Sequence, residues 1–142
     1  MINPTMQIGP YSIGAGVSDY PDIRKLPFWK PFDINRKIRG LRLYTSNKRI
    51  DFLGGQREVI LGVIEDAVWS LSVLFAFKTE DLMADKLIQV VDYFRSHLGD
   101  YRSDTEYPIL WLAPFGRVTI SVQKTLGAVD KFYFFTLTVS AT

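Results

Sequence analysis

The sequence predicts an α+β domain, in which a curved antiparallel sheet of about five to seven strands carries one long helix on one face. One stretch, residues 79–99, has the apolar periodicity of a helix, whereas the apolar segments on both sides alternate with the period of a strand. The connections between these alternating segments are short, and short connections favour antiparallel neighbours. A length of 142 residues fits a single domain, 1–142.

The predicted helix has one apolar stripe, because its large apolar residues recur at spacings of three and four. These residues are Met83, Leu87, Val90, Val91, Phe94 and Leu98. Thr79 is placed to be the N-cap, and Glu80 suits the positive end of the helix dipole. Gly99 suits the left-handed conformation that closes a helix. A helix of about 20 residues is about 30 Å long, so its apolar stripe has to be buried against the flanking strands.

The remaining elements are an N-terminal arm and strands on both sides of the helix. Residues 1–40 are rich in glycine and proline and predict an irregular N-terminal arm, whereas 41–142 predict a sheet–helix–sheet body. Within the arm, a short strand around 11–17 and a turn of helix within 18–25 are the candidate elements. Alternation predicts strands over 41–44, 49–53, 58–64 and 67–77 before the helix, and over 108–113, 117–124 and 131–140 after it. The longest segment, 67–77, has a bulky face that we expect to meet the helix. This face consists of Trp69, Leu71, Val73, Phe75 and Phe77.

The composition restricts the classes of function. The chain has no cysteine, which excludes disulfides, thiolate metal sites and thiol catalysis. The one histidine, His97, is interpreted as a helix C-terminal residue, and a zinc site is not expected because zinc prefers nitrogen and sulfur ligands. We therefore predict no catalytic residue, no metal and no cofactor, and a protein that is not an enzyme.

Neighbouring carboxylates occur in three places and are each interpreted structurally. Glu65-Asp66 is read as a hairpin tip, Glu80-Asp81 as a helix N-terminus, and Asp100 with Asp104 as a solvated loop. The chain start has neither a charged n-region nor an apolar h-region, so no secretory signal is predicted. No apolar run reaches the roughly 18 residues of a membrane-spanning helix. A cytoplasmic location is the resulting expectation.

The net charge of +2 conceals an uneven distribution. Residues 24–49 contain nine bases and one acid, a formal charge of +8, whereas residues 51–116 contain five bases and eleven acids, a formal charge of −6. Bases alternate with aromatic residues in the segment KLPFWKPFDINRKIRG, residues 25–40. Aromatic and arginine side chains often dominate protein interfaces. The candidate partner-binding residues are therefore Phe28, Trp29, Lys30, Arg36, Lys37 and Arg39.

Three other interpretations of the same features stay open. The arm aromatics are structural if they plug the edge of the core while the bases face water or the acidic helix. The arm is a nucleic-acid site if its bases attract phosphate and Trp29 stacks on unpaired bases, with Phe132 and Phe134 extending the platform. A small-ligand pocket between sheet and helix would be lined by Trp69 and Trp111.

Three segments follow one another as strand pair, helix and strand pair. They are IDFLGGQREVILGVIED (50–66), LMADKLIQVVDYFRSHLGDY (82–101) and YPILWLAPFGRVTISVQK (107–124). This layout resembles small bacterial α+β proteins of the immunity type, which neutralise a cognate toxin by covering it. The resemblance implies a non-catalytic binder with one protein partner. It assigns no role to any residue, because such proteins bind through variable surfaces.

Overall fold

A computed structural model describes residues 7–26, 40–103, 109–113, 116–126 and 131–141. These residues form one α-helix, a seven-stranded antiparallel sheet and two small two-stranded sheets. The predicted α+β class, with one helix on a curved antiparallel sheet, is confirmed.

The described residues contain eleven strands, one 3-10 helix and one α-helix. They are β1 (Gln7–Ile8), β2 (Tyr11–Ser12), a 3-10 helix (Val17–Asp19), β3 (Ile23–Leu26), β4 (Arg42–Ser46), β5 (Ile50–Asp51), β6 (Gln56–Arg57), β7 (Val59–Ile64), β8 (Ala67–Phe77), α1 (Glu80–Leu98), β9 (Ile109–Ala113), β10 (Gly116–Leu126) and β11 (Lys131–Ser140). The main sheet has the order β3-β4-β7-β8-β11-β10-β9, with antiparallel pairing throughout. The hairpins β1–β2 and β5–β6 form the small sheets.

The long strands agree with the sequence, and the N-terminal region differs from it. The strands predicted over 67–77 and 131–140 have those bounds in the structure. In the predicted arm, β2 falls within the expected strand at 11–17 and the 3-10 helix overlaps the expected helical turn at 18–25, whereas β1 and β3 were not expected. Ile8 and Tyr11 are buried in the main core, so this part of the chain belongs to the body. Strands of two to four residues have too few alternations to stand out among glycines and prolines.

The helix ends as its sequence signals predict. The Thr79 Oγ1 accepts a hydrogen bond from the Leu82 backbone N–H at 3.2 Å, which confirms Thr79 as the N-cap. At the other end Gly99 has φ +84°, and its N–H donates to the Arg95 carbonyl at 2.9 Å. The Trp111 Nε1 donates to the Gly99 carbonyl at 2.9 Å. The C-terminal end of the helix is therefore attached to β9.

The helix covers one face of the sheet and buries the predicted apolar stripe there. Met83, Val90 and Phe94 are the helix residues buried deepest. From the sheet, Phe75 of β8 stacks on Phe135 of β11 with ring centroids 4.6 Å apart. The face of β8 that was predicted to meet the helix lines this core through Leu71, Val73 and Phe75. At Trp69 the prediction is wrong, because the register shift after Gly62 pairs Val63 with Val68 and places Val68 in the core instead.

The opposite face of the sheet is lined by hydroxyl groups. On the three strands β8, β11 and β10 the buried polar residues of this face are Ser70, Ser72, Thr119, Ser121, Thr136, Thr138 and Ser140. The Ser72 Oγ and the Thr138 Oγ1 form a hydrogen bond of 2.9 Å. The neighbouring Thr136 Oγ1 is buried and has no hydrogen-bond partner among the residues that the structure describes. An unpaired buried hydroxyl costs free energy because it has given up its bonds to water.

A two-residue turn joins β7 to β8. Glu65 has φ +51° and Asp66 has φ +64°, so both lie in the left-handed region. The predicted hairpin tip is confirmed, and positive φ at both central residues is the pattern of a type I′ turn. That turn prefers Asn-Gly, because a side chain in the left-handed region is strained.

We expect Thr136→Val to raise the free energy of unfolding by about 1 kcal/mol, because it removes an unpaired buried hydroxyl at nearly constant shape. The matched variant Thr138→Val should lower it by about 1–2 kcal/mol, because the Ser72 hydroxyl then loses its partner. Urea denaturation of both variants measures the difference. A shift of both variants in the same direction would contradict this assignment of the hydrogen bonds.

The double variant Glu65→Asn/Asp66→Gly should raise the free energy of unfolding by about 1 kcal/mol, because Asn-Gly relieves the strain of two positive φ values. Thermal and urea denaturation provide the measurement. Asp66→Val serves as the control, since a β-branched residue rarely adopts positive φ. The control should be clearly destabilised. Equal stability of the double variant and of Asp66→Val would refute the strain.

Candidate interaction surfaces and a charged cleft

The predicted partner-binding residues fall in one connection of the sheet. Phe28, Trp29, Lys30, Arg36, Lys37 and Arg39 all lie outside the residues that the structure describes. The structure does fix both ends of the connection, because Leu26 in β3 pairs with Leu43 in β4. The connection therefore joins two adjacent antiparallel strands, and β3 is the first strand of the main sheet.

Three of the five described bases of residues 24–49 lie on the two outermost strands of the sheet. Arg24 and Lys25 on β3 and Arg42 on β4 are exposed, and we call these three residues the basic edge. Arg24 lies opposite Thr45 and Lys25 opposite Tyr44, so their side chains leave the sheet on opposite faces. Throughout the described part of the chain, the one ion pair is Arg95 with Asp100 at 3.7 Å. The charges of the basic edge are therefore not paired with any described carboxylate.

The solvent side of the helix has the opposite charge. Asp81, Asp85, Ile88 and Asp92 recur at spacings of four, three and four and are all exposed, and we call them the acidic helix face. Ile88 is 60% exposed, which is high for a large apolar side chain. The three aspartates have no ion-pair partner among the described residues. This face thus combines negative charge with one exposed apolar group.

A cleft of about 420 Å³ opens where β7 ends beside β8. Val73 is the last residue of β8 that has a partner on β7. Residues 74–77 of β8 pair with β11 alone. We call the opening the edge cleft. Its lining includes Arg49, Gln56, Arg57, Glu58, Ile60, Leu74 and Ala76. Its apolar residues alternate with core residues of β7 and β8, so the floor of the cleft belongs to the face opposite the helix.

Arg57 is the most constrained charged group of this cleft. Its guanidinium carbon lies 4.1 Å from the centroid of the Phe75 ring. Its Nε donates to the Phe52 carbonyl at 3.2 Å. Burial lowers the pKa of Arg57, because the charged form loses solvation. The stack and the hydrogen bond together hold the planar group in one orientation.

The predicted pocket between helix and sheet has a small counterpart. A cleft of about 170 Å³ lies beside the helix and is lined by residues that include Phe52, Tyr93 and Phe94. Trp111 does not line it; the indole is buried against Phe94 and Tyr101, with ring centroids 5.5 and 5.8 Å away. Trp111 therefore belongs to the packed core.

His97, Glu80 and Asp81 lie at the two ends of the helix, as the sequence predicts. The His97 Nδ1 lies 2.7 Å from the Tyr93 carbonyl one helical turn earlier, and its ring packs on Tyr93. Glu80 and Asp81 occupy the first turn of the helix as predicted. Asp104 lies outside the described residues. Within the described ranges, no three His, Asp or Glu side chains lie close enough together to hold a metal ion.

No sequence pattern singled out Arg57, which lies between the predicted strands 49–53 and 58–64. A retrospective signal exists, because Arg57 lies between the Gly54-Gly55 turn and the apolar strand β7. The contact with Phe75, however, joins residues that are 18 positions apart. No spacing rule for a single strand or helix predicts such a contact.

Comparisons with protein-family models, with curated proteins and with solved structures gave no match. The resemblance to immunity-type proteins therefore stays a prediction. Among the residues that the structure describes, no helix is both long and apolar enough to cross a membrane.

Proposed function

We propose that this chain is a non-catalytic protein-interaction module that binds one protein partner, in the manner of an immunity protein that neutralises a bacterial toxin. The observation that carries the proposal is the separation of exposed, opposite charges onto different elements of one domain. The basic edge lies on β3 and β4, whereas the acidic helix face lies on α1. Neither surface is neutralised by a described ion pair.

Such a distribution suits the recognition of a charged partner. Complementary charges steer two proteins into encounter and fix their relative orientation, while apolar and aromatic anchors supply most of the affinity. Ile88 provides an exposed apolar group within the acidic helix face. Trp29 and Arg36 are the anchor types in the connection between β3 and β4.

The location of that connection also supports a binding role. Its two ends are fixed by the pairing of Leu26 with Leu43, on the outermost hairpin of the main sheet. Contacts made from this hairpin leave the central pair β8 and β11 undisturbed. Loops that are held by a rigid scaffold are frequent sites of binding.

The variant Trp29→Ala/Arg36→Ala should weaken partner capture at least tenfold, because truncation of an interface anchor typically costs about 2 kcal/mol. The partner to test is the product of a gene adjacent to the one encoding this chain. Rescue of cell growth on co-expression and calorimetry of the purified pair measure capture.

The matched control is Arg102→Ala, an exposed arginine beside β9 at the other edge of the sheet. It should capture the partner as the unmodified chain does, and all variants should keep their melting temperature. If the double variant captures the partner as tightly as the unmodified chain, the arm is not part of the interface. A neighbouring product that neither binds nor harms cells would count against the immunity role.

Nucleic-acid binding is the second candidate, and the exposed basic edge beside an aromatic segment is the observation that favours it. A protein that neutralises phosphates releases counterions, so its affinity falls steeply with added salt. Under this second function, single-stranded RNA should be retained on filters at about 50 mM salt and largely lost at about 200 mM. The variant Arg24→Gln/Lys25→Gln/Arg42→Gln should then flatten the salt dependence. Absence of retention at low salt would eliminate this function.

A further inference from the structure

The edge cleft is an interruption inside the sheet rather than a depression on a finished surface. Residues 74–77 of β8 have a ladder partner on β11 but none on β7. In an antiparallel strand alternate residues direct their N–H and C=O groups to the same side. Two of these four residues therefore direct backbone polar groups toward the interrupted side, where the cleft of about 420 Å³ lies.

Arg57 contributes to the lining of this cleft, and its guanidinium lies against Phe75 on the helix side of the interrupted sheet. One face of its guanidinium is occupied by the Phe75 ring, and its Nε by the Phe52 carbonyl. The two terminal nitrogens have no acceptor among the described residues. A half-buried guanidinium with free donors is a group that gains from a bound anion, because charge-assisted hydrogen bonds to arginine are the strong ones.

The other lining groups restrict the ligand further. Arg49 and Glu58 are both exposed, so the lining carries two positive charges and one negative charge. One net positive charge suits a monoanion better than a phosphate, whose second charge would face Glu58. Ile60, Leu74 and Ala76 provide apolar surface along the floor.

We propose that the edge cleft binds a small organic monocarboxylate. Its aliphatic chain lies on Ile60, Leu74 and Ala76, on the face opposite the helix, with Arg49 at the rim. Its carboxylate enters the gap between β7 and residues 74–77 of β8 and there pairs with the guanidinium of Arg57. The cleft volume of about 420 Å³ lies within the range of small-ligand sites. This site is separate from the arm and from the acidic helix face.

The test is calorimetric titration of the full chain with linear monocarboxylates from acetate to octanoate. Affinity should rise by up to about fourfold for each added methylene until the floor is covered. 1-Hexanol should bind at least tenfold more weakly than hexanoate, because it has the tail without the charge. No binding of any carboxylate at millimolar concentration, or equal binding of the alcohol, would overturn the proposal.

Four variants separate the parts of the site. Arg57→Gln should weaken hexanoate binding at least tenfold, and Glu58→Gln should strengthen it severalfold. Ala76→Trp should block the tail and abolish the dependence on chain length without touching Arg57. Arg24→Gln, which removes a base from the basic edge, is the control and should bind hexanoate normally.

The outcomes stay interpretable if Arg57→Gln fails to fold, since Glu58→Gln and Ala76→Trp leave the guanidinium in place. Unchanged binding in both of these variants would place the ligand elsewhere. The variant Trp29→Ala/Arg36→Ala should still bind hexanoate, so failure of the partner hypothesis and failure of the cleft can be told apart.

Discussion

The antiparallel pairing of β8 with β11 is the interaction on which the rest of the structure depends. β8 is the fourth of seven strands, and eight consecutive residue pairs connect it to β11. The stack of Phe75 on Phe135 lies within this ladder, at the centre of the apolar core. The helix packs on the same two strands. Loss of this pairing would therefore remove the sheet centre and the support of the helix at once.

The pairing also joins two halves that are separate in sequence. The main-sheet strands before the helix form β3-β4-β7-β8, and those after it form β11-β10-β9. The helix connects one half to the other, and Trp111 attaches its C-terminal end to the second half. The basic edge belongs to the first half alone, at the margin farthest from β11. Changes of surface charge there act at a distance from the contacts that close the domain.

The local sequence pattern was sufficient to predict the fold class, but it was insufficient to predict the edge cleft. The helix and the long strands were predictable, because nineteen or ten residues repeat their period often enough to be unambiguous. The hairpin β1–β2 and the short strand β3 were not, since two to four residues carry almost no periodicity. The edge cleft exists because β7 ends before β8 does. The position at which one of two paired strands ends relative to the other is set by tertiary contacts. Arg57 acquires its environment in the same way, through Phe75 and Phe52. The partner-binding role of the arm residues, which was predicted from charge and aromatic content, remains a prediction.

The closure of the segment after β3 by the Leu26–Leu43 pair has a practical consequence. Both ends of this segment therefore lie on neighbouring strands of the outermost hairpin, with β4, β7 and β8 between β3 and β11. Insertions or labels introduced between these two points start and end at the margin of the sheet, away from its central pair of strands.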